Sequence, residues 1–275
     1  IIFAIVPQHV SRAQNSNQPQ FFAGRNINMV SGTKLPGESG TRVALGGDPF
    51  LQRQNEPSVA VSTRNPMHLV AGANDYRTVD MPGLSGDTVT GDAWLGLFKS
   101  FDGGQTWQST LVPGFPQAKT AQEGANSPIY GFAAAADPTV RAGTNGMFYY
   151  SGIAFDRGKN AQSVVFVSRF IDLNNREGAF FNVPKNEDPI KYIDTTVIDQ
   201  GTAGQFMDKP WMAVDIPRSG ATTCNLSISD KDAGNPIKVS QSFACGNVYL
   251  AYTVFLGKSE GNQHSKILVL SLIHI

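Results

Sequence analysis

Cysteine, histidine and charge are all scarce in this 275-residue chain, and each scarcity excludes something. There are two cysteines, Cys224 and Cys245, and four histidines, none of them near either cysteine. A zinc site built from closely spaced Cys and His ligands is therefore not expected, and no metal or other cofactor is read from the sequence. Charged residues make up 16% of the chain, and 22 Lys and Arg balance 22 Asp and Glu. Without a basic excess there is no electrostatic footprint for nucleic acid or for an anionic membrane surface. The apolar runs are too short for a transmembrane span. No Walker loop, dinucleotide fingerprint or nucleophile elbow is present. Helical spacing of apolar residues is nearly missing as well, which removes helical bundles and coiled coils.

What the chain does have is turn residues and strand periodicity. With 28 Gly and 16 Pro, turns are frequent. Apolar residues recur at strand period over 58–62, 68–73, 94–100, 139–142, 147–155, 163–171, 192–198, 211–215, 247–255 and 266–272. Clusters such as Asp102-Gly103-Gly104, Gly143-Thr144-Asn145-Gly146 and Pro217-Arg218-Ser219-Gly220 separate them. The pattern predicts an all-β protein.

The ends and the cysteines point to export. Ser11-Arg12-Ala13-Gln14 follows an apolar start and places small residues at the −3 and −1 positions of a cleavage after Ala13. Residues 1–13 read as a truncated signal peptide, with a buried first strand as the alternative, and 14–24 as a disordered polar linker. The expected location is secreted, extracellular or periplasmic. An apolar run reaches the last residue without a cap, so the chain reads as a fragment. A Cys224–Cys245 bridge is expected in preference to two separate buried thiols, and would stabilise by roughly 3 kcal/mol on chain-entropy grounds.

An internal repeat organises residues 25–275. Asn55-Glu56-Pro57-Ser58-Val59-Ala60-Val61, Ala136-Asp137-Pro138-Thr139-Val140-Arg141-Ala142 and Asp208-Lys209-Pro210-Trp211-Met212-Ala213-Val214 each join a carboxylate, a proline and a short apolar strand. A second strand follows each one. Four-stranded antiparallel units repeated radially describe a β-propeller, with blades starting near 55, 136 and 208. Proline is expected at the start of each first strand, where its missing N–H is tolerated. Glu56, Asp137 and Asp208 are expected at equivalent axial positions. There they either meet to bind a cation or polyol, or hold backbone N–H groups between blades.

One motif adds a family resemblance. Ser100-Phe101-Asp102-Gly103-Gly104-Gln105-Thr106-Trp107 fits Ser-x-Asp-x-Gly-x-Thr-Trp in full and resembles the Asp-box, or bacterial neuraminidase repeat, of the sialidase superfamily. The order of elements from Arg53 to Trp107 is similar to that family's first blade. The resemblance implies a sialidase-like propeller, six-bladed when complete and represented here by about three blades. It also implies a structural role for Ser100, Asp102, Gly104, Thr106 and Trp107, away from the active site. It further implies hydrolysis of a terminal sialic acid or related acidic sugar. An arginine clamp including Arg77 and Arg53 would hold the substrate. Asp80 would serve as acid/base, with Asp87 or Asp92 as alternatives. Asn55 stands where the family has an arginine before the proline, and the nucleophile-bearing blades are not in this chain. The alternative is a non-catalytic propeller that binds glycan, glycoconjugate or protein at the cell surface.

Overall fold

A computed structural model describes residues 24–30, 54–77, 92–158, 161–173, 188–201, 204–230, 237–257 and 264–273. The expected signal peptide at 1–13, most of the linker, and Arg53, Asp80 and Asp87 lie outside the described residues.

The fold is all-β, a partial β-propeller. β1 (Gln54–Val61), β2 (Leu69–Asp75), β3 (Trp94–Ser100) and β4 (Gln108–Leu111) pair in chain order as one antiparallel sheet. β5 (Ala134–Ala142), β6 (Met147–Phe155), β7 (Ser163–Asp172) and β8 (Ile190–Gly201) repeat the arrangement. In the third unit β9 (Gln205–Val214) pairs with β12 (Asn247–Leu256), and β12 with β13 (His264–Ile273). A separate hairpin, β10 (Thr223–Asp230) with β11 (Ile237–Ala244), is inserted between β9 and β12. β5 packs against both β1 and β9, so the first strands of the three sheets lie side by side, as the innermost strands of propeller blades do. Among the described residues the helical content is one 3-10 turn, Thr144–Gly146, and no helix is long and apolar enough to cross a membrane.

The middle sheet is covered on both faces, which explains why β6 and β7 are buried at nearly every position. Phe148, Tyr150 and Phe166 face the first sheet, where they meet Val70, Leu95 and Leu97. Tyr149, Val165 and Val167 face the third, where they meet Met212, Leu250 and Tyr252. Close approach requires two glycines. A Cβ on Gly72 would lie 2.6 Å from Tyr150 Cζ, and one on Gly152 would collide with Leu95 Cδ1. The far face of the third sheet is open, with Trp211 66%, Ile267 76% and Val269 69% exposed.

A buried polar network ties the first two sheets together at one end. Ser62 Oγ donates to Asp172 Oδ2 at 2.7 Å, and His68 Nδ1 lies 3.0 Å from the same carboxylate. Arg64 donates to the Asp172 carbonyl at 2.7 Å. The serine bonds the aspartate rather than the histidine, and all three side chains are buried, so this Ser–His–Asp set is structural. Cys224 and Cys245 form a disulfide with Cα atoms 5.7 Å apart, closing the inserted hairpin onto itself.

Candidate functional site at the propeller axis

The three acid–proline openings fold alike, but not as expected. Each proline lies inside its strand, at a bulge. Asn55 pairs with Asn74 and Ser58 with Gly72, leaving Glu56 and Pro57 opposite one residue. Asp137 and Pro138 stand likewise opposite Gly152, and Lys209 and Pro210 opposite Tyr252. Proline lacks the ladder N–H, and a two-against-one bulge takes it out of the ladder. The residue before each proline has positive φ: 54° at Glu56, 63° at Asp137 and 47° at Lys209. Such a conformation costs a non-glycine residue about 1–3 kcal/mol and persists where its surroundings enforce it.

Superposing the bulges corrects the sequence alignment. The third blade places Lys209, not Asp208, in the slot of Glu56 and Asp137. Three carboxylates therefore do not occupy equivalent positions. Lys209 Nζ instead donates to Glu56 Oε2 at 2.6 Å and to Asp137 Oδ1 at 2.9 Å, so side chains of all three innermost strands converge on one point. Asp208, the residue before Lys209, stands close enough to Asp137 for the two carboxyls to bear on each other's ionisation. Among the described residues no group of three or more His, Cys, Asp or Glu is placed to hold a metal ion. The ammonium fills the place a cation would take.

Backbone contacts fix this end. Asn74 Oδ1 on the first blade accepts from Asp137 N at 2.7 Å, and Asp137 Oδ2 accepts from Lys209 N at 3.0 Å. Asn74, Asp137 and Lys209, on successive blades, are thus linked in series. One step along, Val140 N donates to Ser58 Oγ at 2.9 Å and Thr139 Oγ1 donates to the Pro210 carbonyl at 2.9 Å. Of the two readings of the axial acids, Asp137 takes the backbone N–H role between blades. Electrostatics follow from the geometry. Partial burial, then the neighbouring Asp137 carboxyl, pushes Asp208 up to about 6. Burial also opposes the charge on Asp137, but hydrogen bonds from Asp208 and Lys209 outweigh it and hold that carboxyl below its usual range. Burial opposes the charge on Lys209, but Glu56 and Asp137 together outweigh it and raise the ammonium above the usual lysine range. Glu56 and Lys209 remain about half exposed, so the cluster is open to solvent.

The arginine expected to clamp substrate is placed otherwise. Arg77 is fully buried; its Nε lies 2.9 Å from Asp75 Oδ1, its NH1 2.8 Å from Ser109 Oγ, and its guanidinium sits over the Phe98 ring. A bidentate carboxylate two residues away satisfies the fork that a ligand carboxylate would need. Asp92, an alternative acid/base, caps Ala93 N at 2.7 Å and pairs with Arg157. In the turn between β3 and β4, Asp102 accepts from Ser100 Oγ at 2.9 Å, Thr106 N at 2.9 Å and Thr106 Oγ1 at 2.6 Å. Gly103 and Gly104 supply φ of 74° and 88°, and Trp107 Nε1 donates to the Gly104 carbonyl at 3.0 Å. The Asp102 carboxylate is spent within the turn, and Gly103 N ties it to the Met67 carbonyl at 2.8 Å.

Sequence reasoning did not single out Asn74, Ser58, Thr139 or Lys209. Lys209 carried a signal, its place directly before proline; the other three carried none beyond strand periodicity.

No protein-family model matches the chain, and no curated protein matches it. Among solved structures it is similar to Trypanosoma rangeli sialidase bound to the inhibitor DANA, at 10% identity and TM-score 0.32, over 78% of this chain and 37% of that one. It is also similar to a mutant of B. megaterium levansucrase, at 9% identity and TM-score 0.35, over 76% and 42%. A Hadza microbial sialidase matches at 11% identity and TM-score 0.29, over 79% and 45%. The chain spans less than half the length of each of these proteins. The propeller assignment rests on the arrangement of the three sheets themselves.

Proposed function

We propose that this chain is part of an exported propeller that binds glycoconjugates, with the axial end of β1, β5 and β9 as its ligand-facing site. One observation carries the reading. Three non-glycine residues in left-handed, pre-proline conformations recur at one place in three blades and bring solvent-open polar side chains together. Strain held at one spot in successive units is a mark of ligand sites. Carboxylates that accept and an ammonium that donates suit the hydroxyls of a sugar. Three carboxyls around one lysine do not suit an anionic one, so the favoured ligand is an uncharged, hydroxyl-rich glycan. Hydrolysis at this cluster is not favoured: the Lys209 ammonium holds both Glu56 and Asp137, at 2.6 and 2.9 Å, so neither stands ready as the acid or nucleophile of a two-carboxyl mechanism.

The second reading is sialidase-type hydrolysis, with Asp80 or Asp87 as acid/base. It is supported by the order of elements in the first blade and by the Ser100 to Trp107 turn; the burial of Arg77 against Asp75 weighs against it. A fluorogenic sialoside assay and glycan-array binding on the same preparation separate the two. Binding to neutral glycans, weakened at least tenfold by Glu56→Gln with Lys209→Met, and no sialoside turnover are expected. Turnover abolished by Asp80→Asn would overturn the binding reading.

A further inference from the structure

A cleft of about 490 Å³ lies between the outer strands of the first and second blades, away from the innermost strands that carry the axial cluster. We propose that this cleft is a separate ligand site, for a small, uncharged, ring-bearing molecule with a carbonyl acceptor. The inference stands whatever the axial end binds.

β3 and β4 form one wall of the cleft, β7 and β8 the other, and residues 113–123 close one side. The interior is largely apolar. Phe170 and Tyr192 stand there as a tilted aromatic pair with centroids 5.6 Å apart, and Phe115 faces the same space. Such a wall receives a flat ring offset or edge-on. The closing segment is fastened to β8 much as a strand would be. Gln122 Nε2 donates to the Tyr192 carbonyl at 3.0 Å, and Gln122 Oε1 accepts from Tyr192 N at 3.0 Å. The cleft is thus preformed. Its volume, apolar lining and few fixed polar groups are those of a small-molecule site.

Charge decides the class of ligand. Among the described residues Lys99 and Lys191 line the cleft against Glu123 and Asp188, so its walls carry no net charge. The Lys99 side chain is 9% exposed, and its Nζ donates to Asp188 Oδ2 and to the Ile190 carbonyl. An ammonium has three N–H groups, and the third is left for an acceptor within the cleft. The carboxylates are committed to the walls. Asp188 Oδ1 accepts from Ile190 N at 2.8 Å, and Glu123 Oε2 accepts from Lys119 N at 2.7 Å and Thr120 N at 3.1 Å. Because Asp188 already neutralises Lys99, an anionic ligand would carry an unpaired charge into apolar surroundings. A neutral carbonyl takes the remaining N–H without that cost.

The probe is acetanilide, a neutral ring bearing an amide carbonyl; phenylacetate carries the same ring with a charge. Each is titrated into the full 275-residue chain and followed by NMR at the Gln122 side-chain amide and the Tyr192 amide. Acetanilide should bind saturably with a Kd of about 1–10 mM, as its size allows. Phenylacetate should bind roughly tenfold more weakly. Gln108 is an exposed residue of the cleft wall, and Gln108→Trp places a ring across the opening, so acetanilide binding should be lost. Lys99→Met with Asp188→Asn removes the donor without stranding its carboxylate and should weaken acetanilide about tenfold. Should that double variant not fold, wild type and Gln108→Trp decide. No saturable shift by about 20 mM acetanilide, phenylacetate binding as tightly, or binding unchanged in Gln108→Trp each overturns the proposal.

Discussion

Gly72→Ala tests the stacking of the first two blades directly. The added methyl would sit 2.6 Å from Tyr150 Cζ and 2.7 Å from Cε2, and closer still to the hydroxyl. Tyr150 is fully buried, and its hydroxyl donates to the Gly96 carbonyl at 2.8 Å. Overpacking a filled core costs about 1–3 kcal/mol. Displacing the ring leaves a buried donor and acceptor unpaired, another ~1–3 kcal/mol. A net loss of about 3 kcal/mol is expected, or roughly 6–12 °C in Tm at this chain length. The sign matters more than the size. Gly72 is not in the left-handed region, so without the tyrosine an alanine there should stabilise by about 0.5–1 kcal/mol. Urea unfolding followed by tryptophan fluorescence reads the difference. Gly24→Ala, with nothing within 4 Å of the new methyl, is the neutral control. In a Tyr150→Phe background the hydroxyl's share of the penalty should vanish while the ring's share remains. A Gly72→Ala protein as stable as wild type would refute the interblade packing.

Two further substitutions separate local from global effects. Asp102→Ala removes the acceptor of three bonds in the β3–β4 turn and should cost about 1–2 kcal/mol, with lost exchange protection at the Thr106 amide; an unchanged amide would contradict the turn's wiring. Cys245→Ser opens a bridge of sequence separation 21 that closes only the inserted hairpin. Its stabilisation, roughly 3 kcal/mol on chain-entropy grounds, should appear as faster proteolysis within 223–245 while the main melting transition moves little. A parallel collapse of both would show that the hairpin is integral to the third blade.

Strand periodicity made the fold class legible, and each of the ten periodic segments lies on a strand. β4 escaped notice because Gln108, Ser109 and Thr110 give it no apolar alternation, and β10 and β11 because they lie in a polar stretch around the cysteines. The Arg77 assignment was open to correction from sequence alone. Asp75 ends β2 and Arg77 lies in the turn that follows, where the Asp75 carboxylate accepts from Arg77 N at 3.0 Å and Arg77 Nε at 2.9 Å, a local pairing made before any ligand arrives. The Ser62–His68–Asp172 network was not legible, because its partners lie 104 and 110 residues apart and nothing local links them.

The axial cluster shows where the repeat carries information and where it does not. Aligned on charge, the three openings promise three matching carboxylates; aligned on proline, they give Glu56, Asp137 and Lys209 in one backbone slot. A slot that accepts either sign of charge is conserved between blades for its conformation. The bulge must set proline aside from the ladder while holding its neighbour at positive φ. Charge is then free to differ from blade to blade, and here the difference matters. A third carboxylate would have left a site needing an external cation. Lys209 supplies that cation from within and bonds Glu56 and Asp137 together.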